Sequence, residues 1–302
     1  MTSPHISSVV DFSSIRSAFP YIKTFRNKRF VFKIGGELCE NKAVLSQIME
    51  QIALLSLLGI KVLIVHGGGH HATELGEKLG YRSAFVSGRR VTSEKMIEVA
   101  KMSFGGVLNS DLVALLNALG ISAFGISGAD FGLVKAHRRP PITIHDDRIG
   151  AEREVDFGFV GDVDSVNTEA LENLLALDSV AIVASLVADG DGTILNINAD
   201  TLAAELAIAM KASKFIQLTG VDGVMKDLED SSTLISVLNT AETKKLLDDP
   251  SISGGMIPKL QNAVKALEGG VDQVHVISGT KPDAILQEIF TNEGSGTMIV
   301  KD

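Results

Sequence analysis

The sequence predicts an α/β protein, with a mostly parallel sheet covered by helices on both faces. Three observations carry that expectation. Short β-branched runs alternate with longer helical patterns, glycine-bearing loops follow four of the transitions, and no Ser/Gly-rich linker divides the chain.

In chain order the candidate strands are "RFVFKI" (29–34), "KVLIVH" (61–66), "SAFGI" (122–126), "SVAIVA" (179–184), "KFIQLT" (214–219) and "QVHVIS" (273–278). Apolar periodicity predicts helices near 43–58, 71–80, 94–119, 168–176, 199–211, 239–248, 256–269 and 282–290. The region 131–166 breaks the rhythm, because "LVKAHRRPPITIHDD" and "REVDFGFVGDVDSV" alternate as hairpin strands do. It is expected to be an antiparallel excursion. Residues 1–27 precede the first core strand and read as an arm, with Phe12, Ile15 and Phe19 at helical spacing.

Composition narrows the class. The chain has 302 residues, 45% hydrophobic and 22% charged, enough for a large core in one α/β domain or two lobes. A net charge of −9 with no long Lys/Arg run argues against a nucleic-acid partner. The single Cys39 excludes an intramolecular disulfide framework and suggests a reducing compartment. The start "MTSPHISSVVDFSSIRSAFP" lacks the basic and apolar pattern of a signal peptide. No apolar run is seen to approach the ~18 residues of a membrane helix. A cytoplasmic protein without a membrane partner is therefore expected.

Four glycine loops stand out: "FKIGGE" (32–37), "VHGGGHH" (65–71), "LTGVDGV" (218–224) and "SISGGMIPKL" (251–260). Ligands of doubly wound sheets sit at the carboxyl ends of parallel strands. Glycines there let backbone N–H groups approach an anion, and following helices offer positive N-termini. A phosphate or carboxylate site follows. It is not a P-loop, since "GK" occurs nowhere. "GGGHHA" (67–72) fits the dinucleotide fingerprint, but the region where that fingerprint needs an acid reads "SGRRVT" (87–92), so a dehydrogenase ranks second. The "DFG" triplets at 130–132 and 156–158 lack the other protein-kinase motifs and are accidental.

Two lysines are oddly placed for structure alone. Lys33 lies on an apolar strand between Phe32 and Ile34, where an unpaired ammonium is costly. Lys259 follows Pro258 at a helix start, where the dipole disfavours a cation unless an anion is near. Asp200 is a credible common partner. In "LNINAD", Asn196, Asn198 and Asp200 suit either a helix cap or polar recognition. Arg90 in "GRRVT" has the forked geometry of a carboxylate clamp. His66, His70 and His71 share one loop without a suitably spaced carboxylate or cysteine, so no metal site is expected.

Taken together, "FKIGGE", "LLGIKVLIVHGGG", "GRRVT", "FGFVGDV", "LNINAD", "SGGMIPKL" and "EGSGTMI" resemble the amino-acid kinase family, in its order, from about residue 28 onward. "RVT", and "GGMIPK" with "NINAD", resemble the branch that uses ATP to phosphorylate the side-chain carboxylate of N-acetyl-L-glutamate, the second step of arginine synthesis through acetylated intermediates. The resemblance implies a three-layer αβα sandwich around a mostly parallel sheet, assembled as a homodimer or as dimers joined into a hexamer. It implies a single domain over 28–302, with an acyl-substrate lobe (28–178) and a nucleotide lobe (179–302).

By the same resemblance, Lys33 and Lys259 are transition-state lysines oriented by Asp200, with ATP carrying Mg²⁺. Gly67, Gly68, Arg90, Asn196 and Asn198 hold the acyl substrate, and Gly35 and Gly36 the phosphoryl group. Thr219, Gly220, Val221, Asp222, Gly223 and Val224, with Ser251, Ile252 and Ser253, form the nucleotide side. Arginine-inhibited members carry a comparable N-terminal helix, which implies a site for L-arginine at Tyr21, His275, Glu293 and Gly296. This chain departs from the family by placing His70 and His71 after the glycine triplet, where proline is common, and by reading "GGELCE" after the first lysine. The alternatives are a kinase of N-acetyl-aminoadipate, one methylene longer and separable by only ~1–3 kcal/mol, or an inactive sensor of amino acids or nucleotides.

Overall fold

Eight strands form the main sheet, in the order Val237–Asn239, Thr297–Val300, Gln273–Ser278, Lys214–Thr219, Arg29–Ile34, Lys61–His66, Val180–Ala184 and Ala123–Ser127. The computed structural model describes residues 12–86, 89–146, 151–227, 230–249, 252 and 254–302. From Gln273–Ser278 to Ala123–Ser127 all neighbours are parallel, whereas Thr297–Val300 runs antiparallel to Gln273–Ser278. Four of the expected strands have the bounds read from the sequence; Ala123–Ser127 and Val180–Ala184 differ by one residue.

Strand alternation explains the layers. Phe30, Phe32 and Ile34 pack with Ile48 and Ile52 of the helix Lys42–Leu57, and with Phe104, Leu108 and Leu112. Val31, one step out of phase, belongs to the opposite cluster with Leu202 and Leu206 of Ala199–Ala209 and Leu260 of Met256–Glu268. Side chains along a strand alternate faces, so one apolar run supplies both cores. Lys33 shares the phase of Val31. It therefore emerges on the face that carries Asp200 and Lys259.

The excursion is antiparallel as read: Val134–Arg138 pairs with Gly161–Val166, and Ile142–Asp146 with Ala151–Val155. The sequence did not reveal Ala84–Val86, Arg89–Val91, Leu186–Ala188, Ile194–Asn196, Val237–Asn239 or Thr297–Val300. Strands of three or four residues are too short to register a period of two. One expectation needs correcting. The continuous helix Glu94–Ala118 is long and apolar enough to cross a membrane by length and composition, although 44% of its most apolar window is buried inside the fold. Its middle, Lys101–Leu108, is π-helical and contains Gly105 and Gly106. The arm forms a helix, Phe12–Phe25, with Pro20 inside it. Its Phe25 ring meets Phe30 edge-on at 5.4 Å, which ties the arm to the first core strand.

Candidate active site

Sheet order sets the site. At the carboxyl ends of four adjacent strands stand Ser278–Gly279, Thr219–Gly220, Gly35–Gly36 and Gly67–Gly68, side by side. The loops touch: a Cβ added to Gly36 would lie 3.5 Å from Gly69 N and 3.9 Å from Gly68 N. Gly279 N donates to Thr219 O at 2.8 Å, which joins the two loops on the other flank.

Above this row, three charges meet. Lys33 Nζ lies 3.0 Å from Asp200 Oδ1, and Lys259 Nζ lies 3.3 Å from the same oxygen. The residues are 6%, 8% and 6% exposed for Lys33, Lys259 and Asp200. They come from a strand and two helix N-termini that are far apart in sequence. Burial works against the Lys33 charge, but Asp200 outweighs it and raises the pKa above its ordinary value. Burial and the Lys33 charge lower the pKa of Lys259, with Asp200 offsetting only part. Asp200 resists burial through both ammonium groups and is held below the usual carboxylate range. Two ammonium groups against one carboxylate leave a buried excess of positive charge, and such a site calls for an anion.

Local sequence explains the placement. Asn198 caps the Ala199–Ala209 helix by accepting from Asp200 N at 2.8 Å and Thr201 N at 3.1 Å. That cap fixes the first turn bearing Asp200 and holds Asn198 exposed at the helix end. Gln217, paired in register with Lys33, donates to Lys259 O at 3.2 Å and leaves its buried Oε1 without a partner among the described residues. Gln217 was not singled out from the sequence. Its signal was a polar residue at the central, apolar position of "FIQLT".

The structure shows Arg90 bracing the glycine loop. Its Nη2 donates to Gly69 O at 2.6 Å and to Thr73 Oγ1 at 2.7 Å, its Nη1 donates to Ser83 Oγ, and its guanidinium stacks over Phe85 at 4.8 Å. A cavity of about 550 Å³ is lined by Thr73, Ser83 and Phe85, which Arg90 touches, together with Glu77, Tyr81 and Arg82. Asn196 donates to Thr92 Oγ1 at 3.2 Å, which links the "NINAD" segment to the residue that follows "RV".

In the segment expected to form the nucleotide side, Thr219 and Val224 have buried side chains, while Gly220 is exposed and Val221 and Asp222 are half-buried. Asp222 pairs with Lys281 at 2.7 Å, a cation the sequence reading did not assign. Val224 N donates to Thr297 Oγ1 at 2.9 Å. Ile252 is buried, and Ser251 and Ser253 lie outside the described residues.

The departures from the family pattern meet one another. Glu37 Oε1 accepts from Gly220 N at 3.3 Å, bridging the first glycine loop to the one that follows Lys214–Thr219. His70 Nδ1 lies 2.9 Å from Glu40 Oε1, and His71 Nδ1 lies 2.8 Å from Ser103 Oγ. The helix that follows the glycines is thereby stapled to both of its neighbours.

The residues read as a possible arginine site fall around a buried cluster beneath the arm. His275 Nδ1 lies 2.6 Å from Glu288 Oε1, and Lys214 Nζ lies 2.9 Å from His275 Nε2. Glu288 Oε2 accepts from Gly296 N at 3.1 Å, and burial of this carboxyl is outweighed by His275, so its pKa falls to about 2. Tyr21 reaches Asn292 Oδ1 at 2.6 Å, and Glu293 is exposed. Lys214 and Glu288 are the members the sequence reading missed, because each sits among apolar residues with no local motif.

A parallel αβα sandwich with paired ammonium groups over glycine loops defines a phosphotransferase. The chain belongs to the amino acid kinase family, which matches residues 28–278. It is 42% identical over 291 residues to an acetylglutamate kinase of Myxococcus xanthus, covering 96% of this chain and 94% of that one. An acetylglutamate kinase of Methanococcoides burtonii is 40% identical over 285 residues, 94% of this chain and 93% of that one. Among solved structures, the N-acetylglutamate synthase of Neisseria gonorrhoeae complexed with coenzyme A and N-acetyl-glutamate superimposes with a TM-score of 0.83 at 28% identity, over 97% of this chain. This chain spans 64% of the length of that synthase. Giardia carbamate kinase, at 15% identity, 91% coverage of this chain and 99% of that one, and TM-score 0.65, shares the fold.

Proposed function

We infer that this protein transfers the γ-phosphoryl group of ATP to the side-chain carboxylate of N-acetyl-L-glutamate, giving N-acetylglutamyl 5-phosphate and ADP. The observation that carries the chemistry is the convergence of Lys33 and Lys259 on one oxygen of Asp200, at the carboxyl edge of the sheet. Near-full-length similarity to acetylglutamate kinases supports the choice of acceptor.

A glutamate side chain has an ordinary pKa near 4.3 and is already a nucleophile at neutral pH. One carboxylate oxygen attacks the γ-phosphorus, the bond from phosphorus to the β–γ bridging oxygen breaks, and that oxygen leaves with ADP. No proton moves, so no general base is required. The barrier lies in bringing two anions together and in stabilising charge on the moving phosphoryl group. Lys33 and Lys259 supply that stabilisation, and Asp200 keeps both ammonium groups in place before the reaction begins. Backbone N–H groups of Gly36, Gly67 and Gly68 are assigned to the phosphoryl oxygens and the acceptor, whereas the Gly35 N–H donates to Leu218 O at 3.2 Å and shapes the loop instead. Arg90 and Asn196 frame the acyl end, and the segment Gly220–Asp222 frames the nucleotide. Among the described residues no three His, Cys, Asp or Glu side chains cluster to hold a metal ion, so a divalent cation would be held chiefly by the nucleotide's phosphate oxygens, with Glu37, beside Gly220, as a neighbouring carboxylate. Mg²⁺ on the nucleotide would offset phosphate charge.

We further place L-arginine, as a feedback ligand, at the cluster of Lys214, His275 and Glu288 beneath the arm. A carboxylate and backbone groups suit a guanidinium, and the N. gonorrhoeae synthase has also been solved complexed with L-arginine, superimposing at TM-score 0.80 over 97% of this chain. A second copy of the chain would meet the edge strand Ala123–Ser127, which has no outer neighbour among the described residues, making the working unit a homodimer or a hexamer built from dimers. A biosynthetic kinase that consumes ATP belongs in the cytoplasm.

The deciding assay traps the acyl phosphate with hydroxylamine in the presence of ATP and Mg²⁺. N-acetylglutamate is expected to give hydroxamate at a kcat/KM well above those of N-acetyl-aminoadipate, aspartate and carbamate. A higher kcat/KM for another acceptor would reassign the substrate, and no product from any of them would mark a non-catalytic sensor.

A further inference from the structure

His66 ends the Lys61–His66 strand directly before the glycine triplet and is 0% exposed. Its Nδ1 lies 2.8 Å from Gly67 O, and its Nε2 lies 3.1 Å from Asn109 Nδ2. A carbonyl only accepts and an amide NH₂ only donates, so the ring is neutral and carries its proton on Nδ1. Burial, resisted only by the bond to Gly67, pushes the His66 pKa down to about 4 and preserves that form at neutral pH.

Asn109 is itself anchored. Its Nδ2 also lies 3.2 Å from Ile182 O and 3.3 Å from Ile126 O, on the two strands beyond Lys61–His66. It fills the space of a missing side chain, since a Cβ on Gly125 would sit 1.6 Å from Asn109 Oδ1. Asn109 directly follows the π-helical Lys101–Leu108, whose Phe104 and Leu108 would lie 2.8 Å and 2.3 Å from a Cβ on Gly68. The glycine loop is thus gripped from beneath by one polar chain and from the side by two apolar residues.

We propose that His66 is a positioning residue for the acyl substrate, and that Asn109, seated in the gap left by Gly125, holds it in that role. The Gly67–Gly68 peptide unit is planar and trans, so its C=O and N–H point in opposite directions. By holding Gly67 O against the protein, His66 aims the Gly68 N–H toward the groove, where the backbone of Gly36 closes the loop from the other side. Were the unit free to turn over, a carbonyl oxygen would confront the incoming carboxylate. A donor would become an acceptor at the place where an anion must dock. Asn109 donates to Nε2 and so excludes the tautomer in which Nδ1 could not hold Gly67 O. The chain from Gly125 through Asn109 and His66 to Gly67 therefore carries order from the sheet edge to the substrate loop.

This inference rests on the reading that the acyl substrate docks at Gly67–Gly68, and the experiment separates the two. Steady-state kinetics are measured on wild type, His66→Gln, His66→Phe and Gly125→Ala, varying N-acetylglutamate and ATP in turn. Thermal unfolding of each variant establishes that it is folded. Absence of wild-type turnover with N-acetylglutamate, against turnover with another acceptor, would refute the substrate reading alone; the variants are then judged with the accepted carboxylate. For His66→Phe the KM of the acyl substrate is expected to rise about 10- to 100-fold, the scale of one lost hydrogen bond to a charged group, with KM for ATP within about twofold. His66→Gln should recover part of the loss. Gly125→Ala, which displaces Asn109 without touching the loop, should give the same one-sided change and decides the matter should His66→Phe not fold. An equal rise in both KM values, or unchanged kinetics in the folded variants, would overturn the proposal.

Discussion

Lys33 Nζ and Asp200 Oδ1 lie 3.0 Å apart at the carboxyl edge of the sheet, and Lys259 reaches the same oxygen at 3.3 Å. Asp200→Asn leaves two buried ammonium groups without the countercharge they both touch, with only the more distant Glu37 acting on them. Removing one partner of a buried ion pair typically costs roughly 3–5 kcal/mol, and a loss of that size is expected in denaturant unfolding. Adding Lys259→Met to Asp200→Asn should recover part of it, because one orphaned charge is gone. A strictly additive double variant would show that the three groups do not share one electrostatic balance.

Arg90 braces the loop proposed to face the acyl substrate through Gly69 O, Thr73 and Ser83. Arg90→Ala should therefore raise KM for N-acetylglutamate by at least about tenfold, the loss of a charge-assisted contact, and raise KM for ATP far less. Arg90→Lys should not restore the wild-type value, since one ammonium cannot serve three acceptors in a planar fork. Matched increases for both substrates would contradict this placement.

His66 gives stability an acid limb. Unfolded, it binds a proton near its ordinary value of 6.5; folded, only near pH 4. Between those values the unfolded chain holds more protons, so stability falls as pH drops through that window and is unaffected above it. The contribution is on the order of 3 kcal/mol. Urea unfolding from pH 7 to pH 4 should show a flatter decline for His66→Gln. His275, also held below its ordinary pKa chiefly by burial, acts in the same direction and remains in both proteins. Identical slopes would show that His66 is not buried neutral.

The arm packs through Phe25 on Phe30 and through Tyr21 on Asn292, close to the Glu288 cluster. Deleting residues 1–26 should abolish inhibition by L-arginine and reduce any larger assembly to dimers in analytical ultracentrifugation. Glu288→Gln should weaken inhibition without changing the assembly. Inhibition that survives both changes would place the ligand elsewhere.

The layered fold was legible because apolar strands buried on both faces form continuous β-branched runs, and "RFVFKI" and "KVLIVH" stand in the structure with the bounds expected of them. The pairing of Lys33 and Lys259 through Asp200 was legible for a related reason: an ammonium in an apolar strand and another at a helix start each require an anion. What escaped was nonlocal. Gln217, Lys214, Glu288 and Asn109 acquire their roles only when strands and helices remote in sequence are laid side by side, and no spacing rule foretells that. For Arg90 the sequence offers the fork but not its neighbours: Thr73, Ser83 and the Gly69 carbonyl meet it only in the fold. Asn198 caps the helix that carries Asp200, one of the two roles its motif suits.

The most direct test of two converging ammonium groups is a rapid-quench measurement of acyl-phosphate formation in a single turnover, with Lys259→Ala and Lys33→Ala saturated in both substrates. The account predicts rates about 10²–10³-fold below wild type, as for loss of one preorganised charge donor, with dissociation constants for N-acetylglutamate changed only a few-fold. A wild-type rate in either variant would contradict it.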